Sequence, residues 1–348
     1  PGHYYIDVLA NSDLIAVDTS VAPAATDPLT FPRPDDGLRI VLKGGGDGTA
    51  VPTAADFRGT GTTAADATGL KALEIVDEIS IIAAPGVTTQ AVQESLINQC
   101  ERLKDRFAVL DPAPASANAA PSLNDIQTQR GLFDSYYGAL YYPRIVVEEP
   151  ASGIPIPMSP SGHVVGVYAR TDQERGVHKA PANETLRGIL GVEVRLNREA
   201  QDILNPKGIN VLRDFTAEQR GYRVWGARCV TSDAIWKYIS VRRLFIFIEE
   251  SLQEGTQWVV FEPNDEPLWA KVRQTVSDFL RRVWRDGALA GETPEQAFFV
   301  KCDHTTMTQN DIDNGRLIMI VGIAPVKPAE FVIIRIGQWA GGSSAEVL

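Results

Sequence analysis

The stretch TTQAVQESLINQCERLKDRFAVLDPAP, residues 88–114, decides the fold class of this chain. Its apolar residues recur three or four positions apart, at Val92, Leu96, Cys100, Leu103 and Phe107. This spacing places them on one face of an α-helix that Thr88 or Thr89 can cap. The apolar run at 107–110 follows at once and is typical of a buried strand. Because residues 72–86 pass from helical to strand character, we predict a β-α-β unit here.

The same alternation continues along the chain. NDIQTQRGLFDSYYGAL, residues 124–140, predicts a helix that leads into the strand YPRIVVEE at 142–149. Residues 153–183, with the phrase SPSGHVVGVYARTD, are rich in turn formers and are predicted to be loop, and a strand resumes at 189–196. Strands that alternate with helices indicate an α/β layer structure with a mainly parallel sheet.

A second unit is predicted after Asn205. Its predicted elements are a strand at 220–230, a long helix at 232–254 capped by Ser232, a strand at 258–262, a helix at 264–287, and strands at 297–303, 316–325 and 329–339. The last two strands are long enough to pair as a hairpin or to lie side by side in one sheet.

Composition excludes several classes of protein. The chain has 348 residues, enough for two domains or one large domain with an insertion, and its formal net charge is -11. An acidic chain of this kind is not a general binder of nucleic acid or anionic membranes, although local basic patches are allowed. Cys100, Cys229 and Cys302 lie far apart, which argues against a disulfide framework or a zinc site and favours a reducing compartment. No apolar run approaches the roughly 20 residues of a membrane span.

The segment GTQWVVFEPNDEPLWAKV, residues 255–272, has two interpretations. Acidic residues directly after an apolar run are typical of a catalytic strand end. They also fit a helix start, because Asn264 or Asp265 can cap the helix and Pro267 suits its first turn. Capping accounts for these residues without a substrate, so we favour it.

Motifs that carry chemistry are incomplete. GGGDG at 44–48 lacks the ending of a phosphate-binding loop and is more economically a glycine turn. Cys302, Asp303 and His304 are consecutive, and consecutive residues at a strand end alternate between its faces. These three residues therefore favour a turn over a metal site.

Two histidines and a tyrosine-rich run also lack the pattern of a functional site. His163 and His178 have no recognisable Ser or Cys partner, and GxSxG is absent. The tyrosines of SYYGALYYP, residues 135–143, could stack on bases or sugars but more economically belong to a core or an interface. We therefore predict no enzyme activity, no catalytic residue, no cofactor and no bound metal.

A family resemblance covers residues 215–336. The phrases that carry it, in order, are FTAEQRGYRVWGARCV, WKYISVRRLFIFIEESLQEGTQWVVFEPNDEPLWAKV, FLRRVWRDGALAG, AFFVKCD and DIDNGRLIMIVGIAPVKPAEFVIIRIGQ. Together they resemble the C-terminal domain of contractile tail sheath proteins of contractile-tailed phages, R-type bacteriocins and extracellular contractile injection systems.

Upstream phrases resemble the preceding sheath domain. They include LKGGGDG, ERLKDRFAVLD, DSYYGALYYPRIVVEEP and PSGHVVGVYARTDQERGVHKAPAN, in which His178 stands where many relatives have an aromatic residue. In that family the domain has a subtilisin-like α/β topology, but the protease motifs are absent here, so no catalytic triad is implied. PGHYYIDV only faintly echoes the family's opening, which predicts a chain trimmed of its N-terminal arm. The predicted organisation is a β-rich segment at 1–43, the subtilisin-like α/β domain at 44–205, an α+β C-terminal sheath domain at 206–336 and a C-terminal arm at 337–348.

The resemblance implies a structural role. Sheath subunits polymerise as hexameric rings, stacked helically around an inner tube, and contract to drive the tube through a target envelope. The implied partners are copies of the chain, the inner tube protein, and the baseplate and tail terminator proteins, with no nucleic acid and no direct membrane insertion. The implied locations are the bacterial cytoplasm, for assembly, and then a virion tail or a released extracellular particle.

Two surfaces follow as hypotheses. Extended arms in this family add strands to a neighbour's sheet, and Phe331, Val332, Ile333, Ile334 and Ile336 have that character, with a central strand of the same subunit as the alternative. In the helix that starts near Glu266, the face opposite the apolar residues carries Arg281 and Arg285, with Lys271 on its flank. We predict that these cations contact an acidic inner tube, with a solvated surface helix as the alternative.

A function of another class stays open at this stage. A hydrolase or a binding module built on the same α/β frame would remain a discrete oligomer, whereas a sheath subunit would polymerise.

Overall fold

The computed structural model describes residues 52–116 and 119–331. The helices are α1 Ala54–Arg58, α2 Gly69–Leu73, α3 Gln90–Leu103, α4 Leu123–Arg130, α5 Ser161–Arg175, α6 Arg198–Leu204, α7 Ile239–Gly255, α8 Glu266–Arg285, α9 Pro294–Ala297 and α10 Gln309–Asp313. The strands are β1 Ile81–Ala83, β2 Phe107–Leu110, β3 Gly138–Tyr142, β4 Ile145–Glu148, β5 Pro155–Met158, β6 Glu184–Thr185, β7 Gly191–Val192, β8 Ile209–Phe215, β9 Gly221–Trp225, β10 Phe298–Lys301 and β11 Ile320–Ile323. The predicted segments 1–43 and 44–48, and the arm beyond Phe331, lie outside the described residues.

The main sheet has six strands in the order β1-β2-β3-β8-β9-β6. Strands β1, β2, β3 and β8 are parallel, and β9 and β6 complete the sheet in antiparallel pairings. Every residue of β2 and β3 is buried, as expected for strands that are covered on both faces. The predicted α/β class and mainly parallel sheet are confirmed.

The β-α-β unit predicted from residues 88–114 is confirmed. Helix α3 starts after its N-cap residue Thr89 and buries Val92, Leu96 and Cys100. Strand β2 then pairs in parallel with β1, with Ile82 opposite Ala108. The apolar spacing was therefore sufficient to place the helix and the strand that follows it.

The prediction of a loop at 153–183 was wrong over most of its central part. Residues 161–175 form α5, which buries Val164, Val167 and Tyr168 at helical spacing. Ser159, Pro160 and the glycines had suggested a loop. The first turn of the helix is instead stabilised by the buried carboxylate of Asp111. Its Oδ1 accepts a hydrogen bond from the Ser161 amide at 2.8 Å.

The buried apolar residues form two cores. The first core surrounds the main sheet, and the second is built around α8 and the antiparallel pair β10-β11. Helix α7 belongs to both, because Ile239 and Ile246 are in the first core and Leu244 and Ile248 are in the second. Strands β8 and β9 follow residue 205 and yet belong to the main sheet, so this sheet extends past the predicted domain boundary. The division into domains at residue 205 stays a prediction.

Two buried arginines attach α7, the helix that both cores share, to the first core. The Arg243 guanidinium donates two hydrogen bonds, at 2.8 and 2.5 Å, to the Asp172 carboxylate on α5. Arg242 lies among four aromatic rings, with the closest ring centroid, that of Tyr137, at 4.6 Å. Both arginines are 6% exposed or less, so these contacts exclude water and fix α7 against the first core.

Two predictions at the ends of α7 were wrong. The helix starts at Ile239, and Ser232 caps nothing in it: its amide and hydroxyl donate to the Asp134 carboxylate at 2.7 and 2.6 Å. Residues 258–262 form no strand. They continue from a short 3-10 helix at Gln257–Val259 into a turn, where Phe261 adopts a φ of 69° and is fully exposed.

The predicted cap of α8 is confirmed for Asp265, whose Oδ1 accepts a hydrogen bond from the Leu268 amide at 3.1 Å. Asn264 has another role, because its side-chain oxygen accepts the Trp269 indole N–H at 2.8 Å. Of the helices in the described part of the chain, none is long and apolar enough to cross a membrane.

Candidate functional site

The solvent-facing side of α8 carries the cations that the sequence analysis selected. The opposite side buries Leu268, Trp269, Val272, Val276, Leu280 and Val283 in the second core. Lys271 and Arg285 are exposed, and Arg281 is half-buried. The structure therefore brings the three predicted residues to one face of a helix whose other face is fully packed.

The contacts of these cations differ. The Arg281 guanidinium forms an ion pair with Asp278 at 2.8 Å, one turn away on the same face. The Lys271 ammonium lies 4.4 Å from the centroid of the Trp258 ring, which continues the face towards the α7-α8 turn. Among residues 52–116 and 119–331, no carboxylate lies within 4.0 Å of Arg285.

Arg282 was not among the residues predicted from the sequence. This residue is exposed and follows Lys271 by about three helical turns, so the two lie on the same side of α8. Its identity as part of the cationic face could have been read from the helical spacing. We call the surface formed by Lys271, Arg281, Arg282 and Arg285 the α8 face.

The predicted arm begins where the described structure ends. Phe331 is 67% exposed, whereas Val332, Ile333, Ile334 and Ile336 lie outside the described residues. Strands β10 and β11 form an antiparallel pair in which Val300 lies opposite Val321. In the described part of the chain this sheet has two strands, so each strand has one edge without a partner.

The residues considered for chemistry do not converge. Cys302 is fully buried, the Asp303 carboxylate accepts the amide and hydroxyl of Thr305, and the His304 ring contacts Trp269 edge to face at 4.7 Å. The structure thus points these three consecutive residues at different neighbours. Within the described ranges, no group of three His, Cys, Asp or Glu side chains could hold a metal ion.

One Asp-Ser pair does come together. The Ser161 hydroxyl donates to the Asp111 carboxylate at 2.7 Å, and Gly86 donates its amide to the same group at 3.1 Å. Burial raises the pKa of Asp111 despite these donors. Ser161 is fully buried and its proton is engaged, so this pair ties α5 to the ends of β1 and β2 and presents no nucleophile to solvent.

The histidines and tyrosines occupy ordinary structural positions. His163 is half-buried beside an open pocket of about 680 Å³ that Gly86, Arg144 and Met158 also line, and burial lowers the pKa of this imidazole. Burial likewise lowers the pKa of His178. The tyrosines of β3 are buried, with the Tyr141 hydroxyl 2.7 Å from that of Tyr168, which confirms their assignment to the core.

Comparison with known proteins identifies the family. The model of the phage tail sheath protein central domain matches residues 60–230, and that of the phage tail sheath C-terminal domain matches residues 231–338. The tail sheath protein of Escherichia phage P2 is 22% identical over 81% of this chain and 70% of its own length. That of Burkholderia phage BcepMu is 30% identical over 69% of this chain and 53% of its own length.

Solved structures indicate the same family. The anti-feeding prophage helical sheath in the contracted state is 40% identical, with a TM-score of 0.66 over 77% of this chain and 72% of that one. The contracted PVC sheath complex, an extracellular contractile injection system, is 33% identical, with a TM-score of 0.69 over 78% of this chain and 73% of that one. The chain belongs to the contractile tail sheath family. It is a structural subunit of a contractile sheath, and the matched relatives are themselves structural sheath proteins.

Proposed function

We propose that this chain polymerises as hexameric rings, stacked helically around an inner tube, and contracts to drive the tube through a target envelope. The observation that carries this proposal is the match to sheaths in the contracted state over more than three quarters of the chain. Contraction of such a lattice requires rigid-body rearrangement of subunits and no chemistry within one subunit. A similar chain in the baseplate of the anti-feeding prophage supports association with a baseplate, and a tail terminator is the expected partner at the other end.

The α8 face is the proposed contact with the inner tube. It presents a cluster of cations on a chain whose net charge is -11, and Arg285 has no acidic partner among the described residues. An acidic tube surface would complement it. Complementary charges at the rim of an interface guide association and register but add little affinity, which suits a contact that has to be released.

The segment from Phe331 to Ile336 is the proposed arm between subunits. Support comes from the β10-β11 pair, because a sheet with unpaired edges can accept a strand from another chain. Main-chain hydrogen bonds made in this way are directional and would hold subunits together while other contacts change.

The first core has the proposed subtilisin-like topology without enzymatic function. The parallel strands of the main sheet and the covering helices α3 and α5 support that relationship. The Ser161 hydroxyl is buried and donates to Asp111, so it is not available to a substrate. We propose assembly in the bacterial cytoplasm, followed by a place in a virion tail or a released extracellular particle.

Electron microscopy of the full chain produced together with its tube protein tests the proposed function. The expected result is tubes covered by a helical sheath with six subunits in each ring. A discrete oligomer that leaves the tubes bare would contradict the proposal and would favour a binding module on the same frame.

A further inference from the structure

The chain changes cores just before the proposed arm. After β11, Ala324 donates its amide to the Ala297 carbonyl at 2.8 Å, and Val326 donates to the Ala288 carbonyl at 3.1 Å. Both acceptors belong to the second core. Four residues later, Glu330 is bound by groups that adjoin the main sheet. Because four residues span at most about 14 Å, the crossing is short and direct.

Glu330 is held by three side chains from distant parts of the sequence. Arg228 donates from Nε at 2.7 Å and from Nη2 at 2.6 Å, one bond to each carboxylate oxygen. Asn205 donates its side-chain amide at 2.7 Å, and the Tyr238 hydroxyl lies at 3.2 Å. We call these four residues the Glu330 clamp. A two-pronged arginine contact with a carboxylate fixes both position and orientation.

The clamp is largely shielded from water. The side chains of Arg228 and Glu330 are 13% and 16% exposed, and Asn205 and Tyr238 are buried. Charged hydrogen bonds with this degree of burial contribute more stability than the exposed Arg281–Asp278 ion pair of the α8 face.

The arginine of the clamp is itself fixed to the main sheet. Asn210, a fully buried residue of β8, accepts the Arg228 amide at 2.7 Å and donates to the Arg228 carbonyl at 2.8 Å. Arg228 also forms a backbone bridge with Tyr238, and Tyr238 immediately precedes α7. A continuous set of hydrogen bonds therefore joins Glu330 to the fourth strand of the sheet.

We propose that Glu330 is the positioning residue that fixes the point from which the C-terminal arm leaves the subunit, and that it ties this point to the main sheet through Arg228 and Asn210. The proposal rests on the assignment of residues 331–336 as an arm. A consequence of the proposal is that a force pulling on the arm acts on the first core. The preceding strand, β11, nevertheless belongs to the second core. The first exposed side chain beyond the clamp is Phe331.

The clamp has a defined pH dependence. Burial alone raises the pKa of Glu330, but the hydrogen bonds from Arg228 and Asn205 outweigh it and hold this pKa below its usual value. The other titratable groups that face the carboxylate are Arg228 and Tyr238. A lowered folded-state pKa gives stabilisation that is complete above the unfolded value of about 4.3 and is lost as the pH falls through the folded value.

The exit point can be located by a distance measurement in the full chain. Spin labels at Phe331→Cys and Glu101→Cys, both exposed positions, report the distance between the start of the arm and α3. The unmodified clamp should give one narrow distance distribution at neutral pH. Glu330→Ala should broaden it, with the released population increased by about tenfold to one hundredfold, and acid should do the same to the parent but not change the variant.

Asp172→Asn is the matched control, since it weakens a two-pronged Arg-carboxylate contact of similar burial in which neither side chain hydrogen-bonds to the Glu330 clamp. It should leave the distance distribution narrow. The yield of sedimentable polymer should fall at least tenfold for Glu330→Ala relative to this control. Glu330→Gln, which keeps the shape of the side chain, provides the same comparison if the alanine variant does not fold.

Two results would overturn the inference: a narrow distribution in both Glu330 variants, or polymer yields equal to that of the Asp172 control. A chain that ends at Glu330 separates this inference from the proposed arm. If that truncated chain polymerises normally, the arm assignment is wrong, whereas the distance measurement still decides whether Glu330 fixes the exit point.

Discussion

The two cores differ in how many of their strands are paired and buried by the chain itself. Strands β2, β3 and β8 of the first core have a neighbour on each side, and β2 and β3 are buried along their whole length. Strands β10 and β11 of the second core have only each other among the described residues, and every residue of both is half-buried or exposed. Two-stranded sheets are marginal in isolation, so α8 supplies most of the packing there.

This difference indicates that the first core serves mainly the folding of the subunit, whereas the second also serves assembly. A sheet that is paired and covered internally needs no other chain and can serve as the fixed body of a subunit. An open pair of strands with exposed apolar side chains, such as Phe299 and Ile320, is suited to completion by a partner. We therefore expect substitutions in the first core to act mainly on folding and those in the second to act increasingly on assembly.

The largest effect is expected for Leu140→Ala in β3. Leu140 is fully buried and pairs with both Leu110 and Ile209, so its truncation should lower the free energy of unfolding by about 2 to 5 kcal/mol. Ile320→Ala, at a 47% exposed position of β11, should cost less than about 0.5 kcal/mol. Urea denaturation of both variants measures the contrast, and equal costs would show that β11 belongs to a closed core.

An intermediate effect is expected for Asp172→Asn. The change leaves the buried Arg243 with a neutral partner and should cost about 1.5 to 3 kcal/mol of unfolding free energy. Asp278→Asn removes the exposed partner of Arg281 and should cost less than about 1 kcal/mol. Similar costs in thermal or urea unfolding would mean that the Arg243 contact stabilises the fold no more than an exposed ion pair does.

A smaller effect is expected for Asp265→Ala, which removes the N-cap of α8. The Leu268 amide loses its acceptor, and the second core should lose about 1 kcal/mol of stability. Hydrogen exchange of amides in the first turn of α8 should rise while exchange in β3 stays unchanged. Faster exchange in both regions would show that the two cores unfold as one unit.

The smallest effect on the folded subunit is expected for charge reversal on the α8 face. Lys271→Glu, Arg281→Glu and Arg285→Glu together should change unfolding free energy by no more than about 0.5 kcal/mol per site, because the side chains are largely solvated. Co-assembly with tubes should nevertheless be lost. The fraction of sheathed tubes, counted by electron microscopy at several salt concentrations, measures this loss.

The matched control reverses Arg175, Arg187 and Arg198, three exposed arginines of the first core's surface, and gives the same change in net charge. It should leave sheathing of tubes closer to normal. If the α8 variant sheathes tubes as efficiently as the unmodified chain, α8 does not face the tube. If the control is equally defective, net charge rather than position is responsible.

Sequence periodicity predicted the elements whose apolar residues lie on one side. Helices α3 and α8 and strand β2 were placed in this way, and Asp265 was identified as a cap because an acidic residue and a proline stand directly before an apolar repeat. The six-stranded sheet order was not available from these local patterns. It depends on pairings such as Leu140 with Ile209, which lie far apart in the sequence.

The failures have identifiable physical causes. The glycines and Ser-Pro pairs near α5 suggested loop, but tertiary burial of Val164 and Tyr168 outweighed weak local propensity. Residues 258–262 have strand-like composition, yet they pair with no strand of the described part of the chain and Phe261 remains exposed. Glu330 was missed because its importance depends on three donors more than ninety residues away in sequence.

The shared helix α7 limits where the free energy released on contraction can be stored beforehand. Its apolar residues lie in both cores, and Arg242 and Arg243 are buried against the first, so rotation of one core against the other would expose charge and apolar surface together. Because of that cost, the part of the subunit from α3 to β11 is too rigid to store free energy by deformation between its cores. The free energy released on contraction then has to reside in the joints between subunits, and mutations inside either core should alter how many subunits fold rather than how far a sheath shortens.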